Sequence, residues 1–437
     1  MIIPSGLALD ISTLLNEERG ARYATRSAIR ALSPQLDGLR RQLQDWRRGE
    51  PFSFYHLPYV DETRAIRERA TYIQQRFART IVFGIGGSSL GGEMLVRCLG
   101  NATHPVRFFD NIDPSTLAEL ERVDWHSTAL LVISKSGNTA ETLAQFLSLL
   151  PRLEAELGAQ LREHVLVITE NRDGALAHIA TRLGLEIVVH PPVGGRYSVL
   201  SVVGMLPAAI AGVDVTALLA GARAMAEECG QDDILENPAF FNGAAQYLHA
   251  EHGRSICVFM PYVDRLHPLG LWYRQLWAES LGKRDRSGHA RGLTPVHAMG
   301  VTDQHSQLQL YLDGPDDKQF TLLADPKLGA EGLRVPQRYT DLPATAPLAG
   351  HTTGELLLAE FRATRETLTR HARPNRTILL DTRDPAALGA LILLLELETV
   401  VVAQLLGIDP FDQPAVEESK ELAREYLSQA ALLQTRP

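Results

Sequence analysis

The feature that most constrains the fold is a recurring alternation of short apolar runs with longer helical patterns. RTIVFGIG (Arg79–Gly86) leads into SLGGEMLVRCL, and TALLVIS leads into TAETLAQFLSLL. HVLVITE (His164–Glu170) leads into GALAHIATRLG, and RSICVFM (Arg254–Met260) into GLWYRQLWAESLG. Strand-length runs followed by helices predict parallel sheets flanked by helices, an α/β architecture. The strand-like runs cluster at roughly 79–200 and 254–380, which predicts two lobes. Residues 1–50 read as a helical segment bracing a lobe. The polar stretch ECGQDDILENPA, near 228–240, is the candidate boundary. The expected division is therefore 1–50, 51–228 and 229–437. DLPATAPLAGHTTG (341–354) reads as a surface loop, and the last 25 residues as a helix entered at Pro414, a residue suited to a first turn.

One segment, Ala386 to Gly407, is apolar enough to suggest a membrane span. It carries Glu396 and Glu398 mid-run, each costing on the order of 2–3 kcal/mol at a bilayer centre. A helix buried in the protein or at a subunit interface is the expected reading. The N-terminal apolar run is broken by Pro4 and lacks a basic region, which disfavours a signal peptide. Cys98, Cys229 and Cys257 form no CxxC pair, which points to a reducing compartment and a cytoplasmic protein. The net charge of −9 argues against nucleic acid as the main partner.

Candidate chemistry begins with Ser134-Lys135-Ser136-Gly137-Asn138-Thr139, between an apolar strand and a helix. Three hydroxyls, a lysine and open backbone amides gather at one helix N-terminus, where a phosphate dianion is best stabilised. Asn138 and Glu141 are spaced as a capping box. A loop that merely caps a helix is the competing reading. GIGGSSLGG (Gly84–Gly92), with Asp110 downstream, imitates a dinucleotide fingerprint. Counted from Gly84, its sixth residue is Ser89, where glycine or alanine is required. A P-loop also fails, because Glu93-Met94 follows Gly92. Close backbone approach around Gly87 and a hydroxyl at Ser88 remain, suited to a sugar or its phosphate.

In PPVGGRYSVLS, two glycines precede Arg196, which stays charged and can stabilise an oxyanion. A surface arginine in a turn is the alternative. Trp272, Gln275 and Leu276 lie seven, four and three residues before Glu279, so Glu279 shares a largely apolar helical stripe. Burial there would raise its pKa and suit it to be a general base. A carboxylate paired with an arginine such as Arg274 is the plainer possibility. His305 sits beside Asp303 and before a run, Gln307–Leu312, that alternates like a strand. His289, His297 and His305 match no metal-ligand spacing. Gln413, Val416, Glu417 and Lys420 share a stripe of the last helix, along which Lys420 could reach inward; a solvated Glu417–Lys420 pair is the alternative.

Together and in this order, GIGGSSLGG, SKSGNTAET, GGRYSVLS, AESLGK, DQHSQLQL and PFDQPAVEESK resemble the glucose-6-phosphate isomerase family, over residues 84 to 420. The resemblance implies two lobes of sugar-isomerase (SIS) type, each a mainly parallel, doubly wound αβα sandwich. It implies that Ser134, Lys135, Ser136 and Thr139 hold a sugar phosphate, with Ser88 lining the site and Gly87 and Glu141 as secondary positions. Glu279 would move a proton between C2 and C1 through a cis-enediol. Arg196 would stabilise the enediolate and Gln413 position the substrate. His305 and Lys420 would assist ring opening, with His305 contributed by the neighbouring subunit of a homodimer. No metal or organic cofactor is implied. Ala415 departs from the family, which commonly has glycine there. Three alternatives stay open: an isomerase that also accepts mannose 6-phosphate, a non-catalytic sugar-phosphate sensor, and a nicotinamide dehydrogenase.

Overall fold

A computed structural model describes residues 2–3, 6–17, 22–60, 62–101 and 103–434 of the chain. Its strands, in chain order, are β1 (Ile2–Ile3), β2 (Leu7–Asp10), β3 (Arg79–Phe83), β4 (Val106–Phe109), β5 (Thr128–Ile133), β6 (Val165–Thr169) and β7 (Glu186–Val189). They continue with β8 (Ile256–Pro261), β9 (Lys283–Arg284), β10 (Ala290–Arg291), β11 (Thr294–His297), β12 (Lys318–Ala324) and β13 (Asn375–Leu379). β3 to β7 form one sheet in the order β4-β3-β5-β6-β7, parallel throughout. All six residues of β5 and all five of β6 are buried. Central strands of a parallel sheet are covered on both faces, which is why they read as unbroken apolar runs. Chain direction across this sheet reverses between β3 and β5, the crevice where such sheets bind ligands.

The second sheet has the order β1-β2-β13-β12-β8-β11. β11, β8, β12 and β13 are parallel, while β2 lies antiparallel on β13 and β1 on β2. β1 and β2 thus supply an edge to the sheet built by the far half of the chain. This corrects the helical expectation for residues 1–50, which holds for Arg26–Ala31 and Ser33–Arg48. The missed signal is the alternation of LALD, where Leu7 and Leu9 are buried and Ala8 and Asp10 half-buried. The alternation in 307–312 misleads in the opposite sense, since Leu308–Asp313 is a helix. There the i, i+3, i+4 set Leu308, Tyr311 and Leu312 faces inward and Leu310 is exposed.

The Pro385–Leu406 helix explains its own composition. It is the one described helix long and apolar enough to cross a bilayer, and 94% of its most apolar window is buried inside the protein. It packs against the Val215–Glu228 and Pro238–Glu251 helices. A Cβ on Gly221 would lie 1.9 Å from the Ala386 carbonyl oxygen, and one on Gly389 1.9 Å from that of Leu218, so only glycine permits this approach. Both glutamates lie in this interior. Glu398 receives a fork from Arg376 at 2.7 and 2.9 Å and a bond from Gln246 at 3.1 Å. Glu396 has no partner for either oxygen among the described residues, and burial pushes its carboxyl well above the usual range, leaving it uncharged.

Candidate active site

The loop after β3 turns through Gly86–Ser88 into the Leu90–Leu99 helix. A Cβ on Gly87 would lie 2.3 Å from the Gly195 carbonyl carbon. The two glycine loops therefore touch backbone to backbone, which seats Arg196 beside the loop after β3. Ser88 is half-buried at this junction. Ser89, the residue that breaks the dinucleotide pattern, is buried.

The loop after β5 lies across the crevice. Ser134 is buried, and its hydroxyl meets that of Thr139 at 2.9 Å, closing the loop. The Ser136 hydroxyl accepts from the Asn138 N–H at 3.2 Å. The Ala140–Leu157 helix starts after Thr139 with no side-chain cap, so the expected capping box is absent. Asn138 Oδ1 instead accepts from the Ala175 N–H at 2.9 Å, tying the loop to the next βα connection. A true capping box joins Thr352 and Glu355, where the sequence pattern suggested only a loop. Without a cap, first-turn amides of the Ala140–Leu157 helix, including that of Glu141, remain open to an anion. Lys135 Nζ lies 3.3 Å from Glu170 at the end of β6, both about one-third exposed. Nearby His190 is buried and its pKa is depressed to about 4 by desolvation, so it adds no charge to the loop at neutral pH.

Arg196 is buried, contrary to the surface-turn alternative. Its Nε donates to Ser280 Oγ at 2.8 Å. Nη1 donates to Glu279 at 3.1 Å and to the Gln413 Oε1 at 2.8 Å. Nη2 donates to the carbonyls of Pro410 and, at 3.0 Å, Asp412. A guanidinium carries five N–H groups, so every one is engaged. One side chain thereby joins a loop of the first lobe, the His267–Leu281 helix and the segment entering the last helix.

Glu279 keeps 35% of its side chain exposed. Trp272 and Leu276 on its stripe are buried as expected, yet the carboxylate itself faces Arg196 and the Gln275 amide, 3.1 Å away, rather than apolar groups. Its arginine partner is Arg196, not Arg274. A cavity of about 700 Å³ opens beside it, lined by Glu279, Lys283, Arg291, Asp412, Gln413 and Val416 among others. A slightly larger cavity, about 760 Å³, lies between Pro326–Ala330 and the Thr353–Arg370 helix and contains none of the site residues.

His305 and Lys420 are not brought to this cluster. His305 is exposed, just after the Thr302–Gln304 turn. Lys420 lies on an exposed helix, Glu417–Gln434, and pairs with Glu417 at 2.7 Å, so the inward reach read from its stripe gives way to the solvated pair. Four residues of the site escaped sequence reasoning as functional groups: Ser280, Gln275, Lys283 and Glu170. Gln275 and Ser280 were visible as helical neighbours of Glu279. Glu170 was visible only once β6 was known to lie beside β5. Among the described residues no group of His, Cys, Asp and Glu is arranged to hold a metal ion.

Two α/β lobes, each built on a mainly parallel sheet and joined where Arg196 meets Glu279, Ser280 and Gln413, are the frame of a two-lobed protein of the sugar-isomerase class. The chain belongs to the phosphoglucose isomerase family, whose profile matches residues 64–316 and 346–434. It is 40% identical to a glucose-6-phosphate isomerase of Rubrobacter xylanophilus, over 95% of this chain and 96% of that protein. It is also 40% identical to one from Carboxydothermus hydrogenoformans, over 84% and 83% of the two chains. Among solved structures, a hypothetical protein from Thermus thermophilus superposes with a TM-score of 0.85 at 36% identity, covering 96% of this chain and 99% of that one. A glucose-6-phosphate isomerase from Chlamydia trachomatis shares the fold, with a TM-score of 0.80 at 21% identity over 99% and 90% of the chains.

Proposed function

We propose that this protein interconverts D-glucose 6-phosphate and D-fructose 6-phosphate, an aldose–ketose isomerisation serving glycolysis and gluconeogenesis. The observation that carries the reading is the contact of Arg196 with both Glu279 and Gln413, in a chain of this family. Moving a proton between adjacent carbons needs one base near both and a positive charge near the enediolate. Glu279 is that base and Arg196 that charge. Gln413 orients the sugar. Ser134, Lys135, Ser136 and Thr139 hold the phosphate, with Ser88 lining the site and Lys135 exchanging Glu170 for the ligand. Phosphate binding at a distance from the reacting carbons supplies orientation without entering the chemistry.

Ring opening is assigned to His305 and Lys420. The exposure of His305 supports an active homodimer in which it completes the neighbouring subunit's site. The division into 1–50, 51–228 and 229–437, and a cytoplasmic location, belong to the same reading. The test is a coupled assay: purified protein, fructose 6-phosphate, EDTA and a glucose-6-phosphate dehydrogenase reporter following NADPH. Robust turnover is expected, and Glu279→Gln removes it by roughly 10³-fold or more while substrate affinity stays within about tenfold. No turnover, with sugar-phosphate binding intact by calorimetry, would replace this reading with the sensor. Near-normal turnover of Glu279→Gln would remove Glu279 as the base.

A further inference from the structure

Lys283 lies four residues beyond Glu279, where the chain leaves the His267–Leu281 helix and enters β9. Its backbone is held there by pairing with Arg291 of β10. The side chain is only 8% exposed. The ammonium donates to the Asp409 carbonyl at 2.7 Å, to the Asp412 carbonyl, and to Asp412 Oδ1 at 2.5 Å. An ammonium has three N–H groups, so Lys283 is spent wholly on one short segment of chain. That segment, 409–412, leads directly into Gln413. From the other side it is pinned by Phe411, whose ring meets those of Trp46 at 5.6 Å and Tyr197 at 5.3 Å.

The Asp412 carbonyl oxygen accepts from both Lys283 and Arg196. Two cations therefore hold the same turn. This duplication matters because every N–H of Arg196 is taken. To meet an enediolate, Arg196 must release an acceptor, and the two on its Nη1, Glu279 and Gln413, adjoin the reacting groups. Were Arg196 the sole cation on the turn, the rotation of its planar guanidinium that moves Nη1 would also pull Nη2 from Pro410 and Asp412 and loosen the turn that carries Gln413. Lys283 removes the conflict, since it grips the turn through atoms the substrate does not need.

We propose that Lys283 is a positioning residue for the isomerisation, holding the 409–412 turn so that Gln413 stays in place while Arg196 turns from it toward the substrate. The proposal rests on the isomerase reading above. Lys283 touches no reacting atom, and its effect reaches the chemistry through Gln413 and Arg196. The phosphate loop, on the first sheet, is independent of it.

The experiment compares wild type, Lys283→Met, Lys283→Arg and Asp412→Asn in the coupled assay, with inorganic phosphate as competitive inhibitor and thermal unfolding in parallel. For Lys283→Met the expected result is a kcat about 10–100-fold lower, with KM and the phosphate inhibition constant within about threefold. Lys283→Arg recovers most of the lost kcat, because a cation again reaches the turn. Asp412→Asn, at an exposed side chain that does not threaten folding, lowers kcat by about three- to tenfold. Absent turnover in wild type would sink the isomerase reading itself. Normal wild-type turnover with unchanged kcat in Lys283→Met would overturn the positioning role alone, as would equal losses in kcat and in phosphate affinity. Should Lys283→Met lose its cooperative melt, an unchanged kcat in Asp412→Asn overturns the proposal equally.

Discussion

Replacing Arg196 with lysine keeps the positive charge and removes the fork. The guanidinium engages Ser280, Glu279, Gln413, Pro410 and Asp412 with five N–H groups. An ammonium offers three. At least two of these five bonds are then lost. Hydrogen bonds to a charged donor contribute about 1.5–3 kcal/mol each, so the total loss is about 3–6 kcal/mol. The turn at 409–412 is partly spared, because Lys283 also holds it. The loss therefore falls mainly on the edge that faces Glu279 and Gln413, where charge develops in the transition state. At 1.36 kcal/mol per tenfold, a loss of about 3–4 kcal/mol at that edge lowers kcat/KM by about 10²–10³-fold. The coupled assay with fructose 6-phosphate measures this directly, and thermal unfolding checks that the fold persists. A kcat/KM within about threefold of wild type, at an unchanged melting midpoint, would show that charge alone suffices and refute the role of the fork.

Glu170 competes with a bound phosphate for Lys135, so Glu170→Gln tightens inorganic phosphate by about two- to fivefold, the range of an exposed ion pair. Lys135→Ala weakens it by about 1.5–3 kcal/mol; calorimetry reads both, and equal affinity in wild type and Glu170→Gln would dismiss the competition. Stability depends on pH through His190 and His249, both fully buried with pKa values depressed to about 4 by desolvation. The unfolded chain takes up protons near pH 6.5 while the native state does not, so stability is full above that pH and falls as pH drops toward 4, by about 3 kcal/mol per histidine. Urea midpoints at pH 7 and 5 should differ accordingly and differ less in His249→Gln; an equal pH dependence in the two proteins contradicts the assignment. Glu396 runs the other way. Burial holds its carboxyl neutral, so its destabilising effect grows as pH rises above the unfolded value of 4.5. Glu396→Met removes two orphaned oxygens and raises stability at pH 7 by about 1–3 kcal/mol, with a smaller gain near pH 4; a lower unfolding midpoint at pH 7 would mean that the carboxyl has a partner.

Local pattern carried much of this protein. Unbroken apolar runs such as those of β5 and β6 mark strands covered on both faces, and the alternation with helices marks parallel sheets. The two glutamates in the Ala386–Gly407 segment favoured a buried helix over a bilayer span, because a charge at a bilayer centre is costly, and both lie in the protein interior. The strand before the SKSGNT loop and the helix that opens after it were legible from the apolar run and the helical pattern around them.

Pairing was not legible, because it depends on which loops the tertiary fold brings together. Asn138 and Glu141 have capping-box spacing, yet Asn138 bonds to Ala175 because the next βα connection crosses there. Strands β1 and β2 belong to the sheet built by the last half of the chain, and no local signal says which sheet edge an isolated strand will join. Lys135 meets Glu170 only because β6 lies beside β5. Arg196 meets Glu279 and Gln413 across 83 and 217 residues of sequence. Residue types and spacing named Arg196 and Glu279 as candidates, and the family resemblance added Gln413. Only the convergence of two lobes on a buried guanidinium, whose desolvated N–H groups each require an acceptor, decided that all five of its bonds are made and that Lys283 shares the load.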